Sequence, residues 1–182
     1  MPQISAFSDD LRDGLKGSVF IDDSTGFVSG SSNSQESIKF GIVGSINHPQ
    51  IDYTNIIYSD APWTSEPWQA ISYVSCHDNH TLYDKLKVSR PDASENEIIA
   101  MDKLANAIVL TSQGTAFIHA GAEILRTKKG EHNSFHLPDS INQIKIITES
   151  TACSKTCRKT FLLVGYQIIG LNVEKSYSAL YS

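Results

Sequence analysis

The stretch from Ile71 to Glu123 constrains the fold of this chain more than any other. Ile71-Ser72-Tyr73-Val74-Ser75 is short and rich in β-branched and aromatic residues, and it reads as a strand. It runs straight into Cys76-His77-Asp78-Asn79-His80, a cluster of polar and ionisable side chains. Thr81 to Leu86 begins a helix, and Arg90-Pro91 ends that region. Ser94-Glu95-Asn96-Glu97 has the form of a capping box, in which a Ser and the Glu three residues on satisfy each other's free backbone N–H groups. Ile98, Met101, Leu104, Ala105, Ile108 and Ser112 follow at helical spacing, which predicts one buried face. Gly114 supplies the stop, and Thr115 to His119 reads as a second strand leading into Ala120-Gly121-Ala122-Glu123.

Strand, ionisable loop, helix, strand and a loop with a carboxylate make a β/α repeat, so the expected fold class is α/β. In a β/α barrel the chemistry sits on loops at the carboxyl ends of strands, where His77 and Asp78 fall here. A whole barrel takes about 250 residues. This chain has 182 residues, so the expectation is an incomplete (β/α)8 TIM barrel fragment. The first third is read as mostly loop. Phe7 to Gly30 is polar and rich in Gly, Asp and Ser, Ser29 to Ser34 reads as an exposed turn, and Glu36 to Val43 as a short helix.

Composition narrows the function. A hydrophobic fraction of 40% and a charged fraction of 19% fit a folded domain. The net charge of −5 points away from sequence-independent nucleic-acid binding, which needs a basic face. Cys76, Cys153 and Cys157 are an odd set, read as unpaired thiols. Met1 to Ser5 has no basic stretch before an apolar core, and the run Phe161 to Leu171 falls short of the roughly 20 residues that span a bilayer, so no membrane partner is expected; the sequence leaves the compartment open, with the cytoplasm slightly favoured. No pattern calls for a cofactor. His77 and His80 flank Asp78, but no third ligand is nearby, so no metal site is assigned.

Tyr73-Val74-Ser75-Cys76-His77-Asp78-Asn79-His80-Thr81-Leu82-Tyr83-Asp84-Lys85-Leu86 resembles the fourth signature region of the α-amylase superfamily, glycoside hydrolase family 13, and within it the type I pullulanases. Phe7-Ser8-Asp9-Asp10-Leu11-Arg12-Asp13-Gly14-Leu15-Lys16-Gly17 resembles the loop that precedes that region in these enzymes, with Ser8 in place of Asn. Gln113 to Gly130 resembles the next barrel strand and its loop, with Ala122 in place of Gln. Asn133-Ser134-Phe135 and Pro138 to Asn142 continue the likeness, which covers about Phe7 to Gln143. The chain is therefore divided at 1–143, a C-terminal portion of a pullulanase-like catalytic barrel, and 144–182, a divergent tail expected to be loosely attached.

The resemblance implies a glycoside hydrolase acting on α-1,6 branch linkages of pullulan, starch or glycogen-type glucans. Retaining hydrolysis uses two carboxyl groups about 5 Å apart, a nucleophile and a general acid. In the family these lie upstream of the Phe7 loop, so the isolated chain is expected to be inactive, with an N-terminal half of the same enzyme as a partner beside the α-glucan substrate. By resemblance Asp78 is a third carboxylate that stabilises the transition state, and His77 binds hydroxyls of the same sugar. Asn133 and Asp139 are assigned as further sugar contacts. The other reading is an inactive remnant or a weak glucan-binding fragment. Trp63 and Trp68 are read as covering the edge of the core rather than stacking on sugar. His119 is expected to hydrogen-bond at its strand end, Glu123 to be a salt-bridged scaffold carboxylate, and Lys128 with Lys129 to be a solvated basic spot.

Overall fold

A computed structural model describes residues 4–144 of the chain. The divergent tail, with Cys153 and Cys157, lies outside the described residues. Three parallel strands form one sheet in the order β1-β2-β3: β1 (Ala6–Phe7), β2 (Ala70–Ser72) and β3 (Thr115–Ala116). The register pairs Phe7 with Ile71 and Ile71 with Thr115. Each ladder gains one more step, from Ser8 N–H to the Ile71 carbonyl at 3.0 Å and from Phe117 N–H to the Ser72 carbonyl at 2.9 Å. The strands expected over 71–75 and 115–119 are thus shorter, because beyond this step no ladder bonds form among the described residues. The α/β class is as expected.

Parallel pairing needs long crossovers, and helices fill them. Between β1 and β2 lie α1 (Asp9–Lys16) and α2 (Gln35–Ile42); between β2 and β3 lie α3 (Leu82–Ser89) and α4 (Glu95–Thr111). A four-residue helix, α5 (Asp139–Asn142), comes after β3. One sheet face carries Phe7, Tyr73 and Phe117 in edge-to-face contact, with ring centroids 4.7 Å apart for Phe7–Tyr73 and 5.3 Å for Phe7–Phe117. On the other face the helices bury a core of Leu11, Leu15, Ile38, Val74, Leu82, Leu86, Ile98, Ala105 and Val109. Trp63 and Trp68 are exposed. The Trp68 carbonyl accepts from Ser5 Oγ and Thr115 Oγ1, both at 3.1 Å, so Trp68 closes the amino end of the sheet, away from His77.

Two expectations need correction. The polar stretch after Phe7 is not a loop: Asp9 to Lys16 forms α1, and every residue from Asp10 to Lys16 is buried. Its buried carboxylates are hydrogen-bonded internally. Asp10 accepts from the Tyr58 N–H at 2.7 Å and from Ser59 Oγ at 2.5 Å, while Asp13 accepts from Tyr58 Oη and from Arg12 Nε, each at 2.5 Å. In α4 the capping box forms as expected, with Ser94 N donating to Glu97 Oε2 at 2.8 Å and Glu97 N to Ser94 Oγ at 3.4 Å. The buried face, however, is Ile98, Asp102, Ala105, Asn106 and Val109, whereas Leu104 is exposed. Asn106 Nδ2 donates to Asp102 Oδ1 at 2.9 Å, so two polar side chains partly satisfy each other inside the core. Burial pushes the Asp102 carboxyl up to about 8, against the hydrogen bond from Asn106.

Helices α1 and α2 approach closely because glycines face the contact. A Cβ on Gly41 would stand 2.5 Å from Leu11 Cδ1 and 2.6 Å from Leu11 Cβ, and one on Gly14 would stand 3.1 Å from Ser37 Cβ. Alanine is favoured over glycine in a helix interior by about 1 kcal/mol. Overpacking costs about 1–3 kcal/mol, and more where the Leu11 Cβ itself must move. Gly41→Ala is therefore expected to lower the urea midpoint of unfolding; a midpoint equal to or above the wild type would disprove the close approach.

Candidate functional site

Because all three strands run the same way, the segments that leave their carboxyl ends emerge at one rim. After β1 comes Asp9, after β2 come Cys76, His77 and Asp78, and after β3 come His119, Glu123 and Arg126. This is the arrangement that places chemistry at the carboxyl ends of strands. His77 and Asp78 project into solvent, with side chains 86% and 70% exposed, and His77 Nε2 lies 3.5 Å from Asp78 Oδ2. Asn79 then takes a left-handed turn at φ 62°, a conformation asparagine tolerates better than most residues. That turn separates the exposed His77 from the buried His80, whose Nε2 lies 3.3 Å from Asp22 Oδ1. The two histidines face different surroundings, and among the described residues no three His, Cys, Asp or Glu side chains are gathered as metal ligands would be.

Asn133 is exposed on the loop whose neighbouring His132 packs its ring against His80, centroids 5.7 Å apart. That contact brings the 131–134 loop to the 77–80 loop. Asp139 is the exposed first residue of α5, and no described contact joins it to His77 or Asp78.

A second polar group at the rim has no counterpart in the individual roles read from the sequence. Tyr73 Oη donates to Asp9 Oδ1 at 2.6 Å, and Arg12 Nη1 reaches Asp9 Oδ1 at 2.8 Å and Tyr73 Oη at 2.7 Å. The Asp9 carboxylate, 54% exposed, is thus aimed by two largely buried donors. The sequence offered only the charged run Asp9, Asp10, Arg12 and Asp13, behind the weak strand pattern of Ala6-Phe7. His119 behaves as expected: its Nε2 lies 3.1 Å from Arg126 Nη1. Burial, then the charge of Arg126, lowers its pKa to about 4, so the ring is neutral and Nε2 accepts. Glu123 is not salt-bridged within the described residues; it accepts the Gly121 N–H at 3.0 Å. Lys128 is not solvated: it is 2% exposed, and its ammonium donates to the His77 carbonyl at 3.3 Å.

Comparison with known proteins points in one direction. No family profile matches the chain. A pullulanase of Bacillus subtilis is 40% identical over 144 residues, 79% of this chain and 19% of that protein. The pullulanase of Paenibacillus barengoltzii, solved in complex with maltotetraose, superposes with a TM-score of 0.76 and 39% identity over 90% of this chain and 24% of its own. Over most of its own length the chain is similar to pullulanases. Bacillus subtilis type I pullulanase, solved with maltose, superposes at a TM-score of 0.75 with 36% identity, over 90% of this chain and 21% of its own. The pullulanase-like chain thus spans about a fifth of the curated relative's length.

Beneath the rim of this pullulanase-like fold lies Lys16, 1% exposed. Burial, with the charge of Arg12 next, lowers its pKa to about 7, while Asp13 and Cys76 partly oppose this. The unfolded chain holds a proton on this lysine up to about pH 10.5, so between pH 7 and 10.5 it binds more protons than the folded chain, and Lys16 makes stability rise with pH. Below pH 7 both states are protonated and the cost of the buried charge is complete. Lys16→Met is expected to unfold at higher urea than the wild type at pH 7, with the gap narrowing steadily as pH rises from 7 toward 10.5. A gap that is constant across this range would show that Lys16 is not held near neutrality.

Proposed function

We propose that this chain is part of a (β/α)8 catalytic barrel that hydrolyses α-1,6-glucosidic linkages in pullulan-type glucans, and that Asp78 and His77 contact the sugar. The observation that carries the reading is the exposed His77–Asp78 pair at the carboxyl end of β2, in a chain 36–39% identical to pullulanases solved with maltose and maltotetraose. Parallel strands in consecutive order, with helices on one face and aromatic side chains on the other, suit an arc of such a barrel.

The chemistry comes from the groups themselves. A glycosidic transition state resembles an oxocarbenium ion. Asp78 brings a negative charge that gains strength against it, and orients hydroxyls as it does so. His77 offers a ring donor or acceptor to the same sugar. Asn133, on the loop packed against His80, is placed to extend the contact, and Asp139 is the more remote candidate. A retaining hydrolase also needs a nucleophile and a general acid about 5 Å apart; by resemblance these belong to an N-terminal portion of the enzyme.

Two results are expected from the 182-residue chain. Maltotetraose should shift the NMR signals of the His77 ring and the Asp78 amide, and Asp78→Asn should weaken that response about tenfold, the size of one charged hydrogen bond. The chain alone should release no reducing sugar from pullulan above a heat-killed control. Signals of His77 and Asp78 unmoved by maltotetraose would refute the sugar contact; pullulan hydrolysis abolished by Asp78→Asn would refute the assignment of the two missing groups to another segment.

A further inference from the structure

Lys128 and Asp84 lie outside the sugar-contacting pair, yet both are buried against the loop that carries it. Asp84 stands in the first turn of α3, where Thr81 caps the helix by accepting the Asp84 N–H at 3.1 Å. Both carboxylate oxygens of Asp84 are used by the loop after β3: Oδ1 accepts from Thr127 Oγ1 at 2.5 Å and Oδ2 from the Lys128 N–H at 2.7 Å. The Lys128 side chain then runs under the rim, and its Nζ donates to the His77 carbonyl oxygen at 3.3 Å.

The chosen oxygen matters. A peptide unit is planar, so fixing the direction of the His77 carbonyl fixes the whole 77–78 peptide plane. With it are set the torsions that aim the His77 and Asp78 side chains. Those side chains have no other hold. Among the described residues neither makes an ion pair or side-chain hydrogen bond except with the other, and both are largely exposed. On the far side Asn79 turns left-handed into the buried His80. The loop is thus held from below at one carbonyl and from behind at one turn.

We infer that Lys128, seated by Asp84 and Thr127, is a positioning residue that sets the direction of His77 and Asp78. The inference rests on the sugar-contact role proposed above for that pair. It also accounts for an otherwise costly feature, an ammonium taken out of water with one carbonyl acceptor among the described residues. Burial and the nearby Arg126 both disfavour its charge, while Asp84 and Asp78 support it.

The test uses the full chain and two variants. In Lys128→Met an apolar stem of similar volume replaces a buried charge, so the fold is expected to keep its thermal midpoint or gain. The backbone 15N order parameters of His77, Asp78 and Asn79 are expected to fall from about 0.85, typical of rigid backbone, to below about 0.6, while those of α3 and α4 stay unchanged. Maltotetraose affinity should fall about tenfold, as for loss of one charged hydrogen bond. Thr127→Val, which loosens Lys128 without touching the buried charge, should lower the same three order parameters by a smaller amount. Order parameters at His77 to Asn79 that stay high in Lys128→Met, or that are already low in the wild type, overturn the positioning role. So does a fall spread evenly through α3 and α4 with a lower midpoint, which would make Lys128 merely structural. A wild type that ignores maltotetraose sinks the sugar-contact reading instead, and the order parameters still decide what Lys128 does to the loop.

Discussion

Parallel pairing on both sides of β2 organises everything else in this molecule. The paired segments are only two or three residues long, so the sheet contributes little apolar burial of its own. It acts as a geometric constraint. Parallel strands cannot be joined by tight turns, so residues 8–69 and 73–114 become crossovers whose helices must cover one face of the sheet. The same constraint sends the three segments beyond the strands to a common rim. Residues as distant in sequence as Asp9, Asp78 and Arg126 come to the same rim through backbone direction alone.

The rim is supported by a layer of charge rather than of hydrocarbon. Lys16, Lys85 and Lys128 are each at most 2% exposed, and Arg12 is nearly so. Lys85 Nζ donates to the Ile21 and Asp22 carbonyls at 2.6 and 2.9 Å. Cations held against backbone carbonyls pin loops, because each ties an irregular segment at a single oxygen. The cost is desolvation, seen in the lowered pKa values of all three lysines, whose largest cause is burial. Such a layer favours defined loops over a maximally stable core.

What could be read from the sequence divides along this same line. The strand before His77, the capping box at Ser94 and the position of Asp78 were legible, because each depends on local chemistry: β-branched residues, a Ser–Glu pair three apart, polar residues directly after a strand. Where polar side chains are buried, reading by polarity failed. Asp10, Arg12 and Asp13 made α1 look like loop, since their partners Tyr58, Ser59 and Tyr73 lie more than 40 residues away. Asp102 and Asn106 rotated the expected face of α4, because together they form a hydrogen-bonded pair that neither forms alone. Lys128 was read as solvated because nothing beside it in sequence reveals the carbonyl it meets. Asp9 obeys the same local rule as Asp78, a carboxylate close behind a strand, but β1 is only two residues long and gives too weak a strand pattern to point to it.

The chain holds two tryptophans, and neither is near the rim. Trp68 closes the amino end of the sheet between Ser5 and Thr115, and Trp63 lies on the same segment with its backbone N–H on the Ser45 carbonyl at 3.3 Å. Both indoles are about two-fifths exposed, at 39% and 41%. Intrinsic emission of the folded chain therefore samples a partly wet environment open to collisional quenchers such as iodide. A sugar arriving at His77 would leave that signal dark to the event, so a flat fluorescence titration carries no information on binding, whereas chain unfolding changes it strongly.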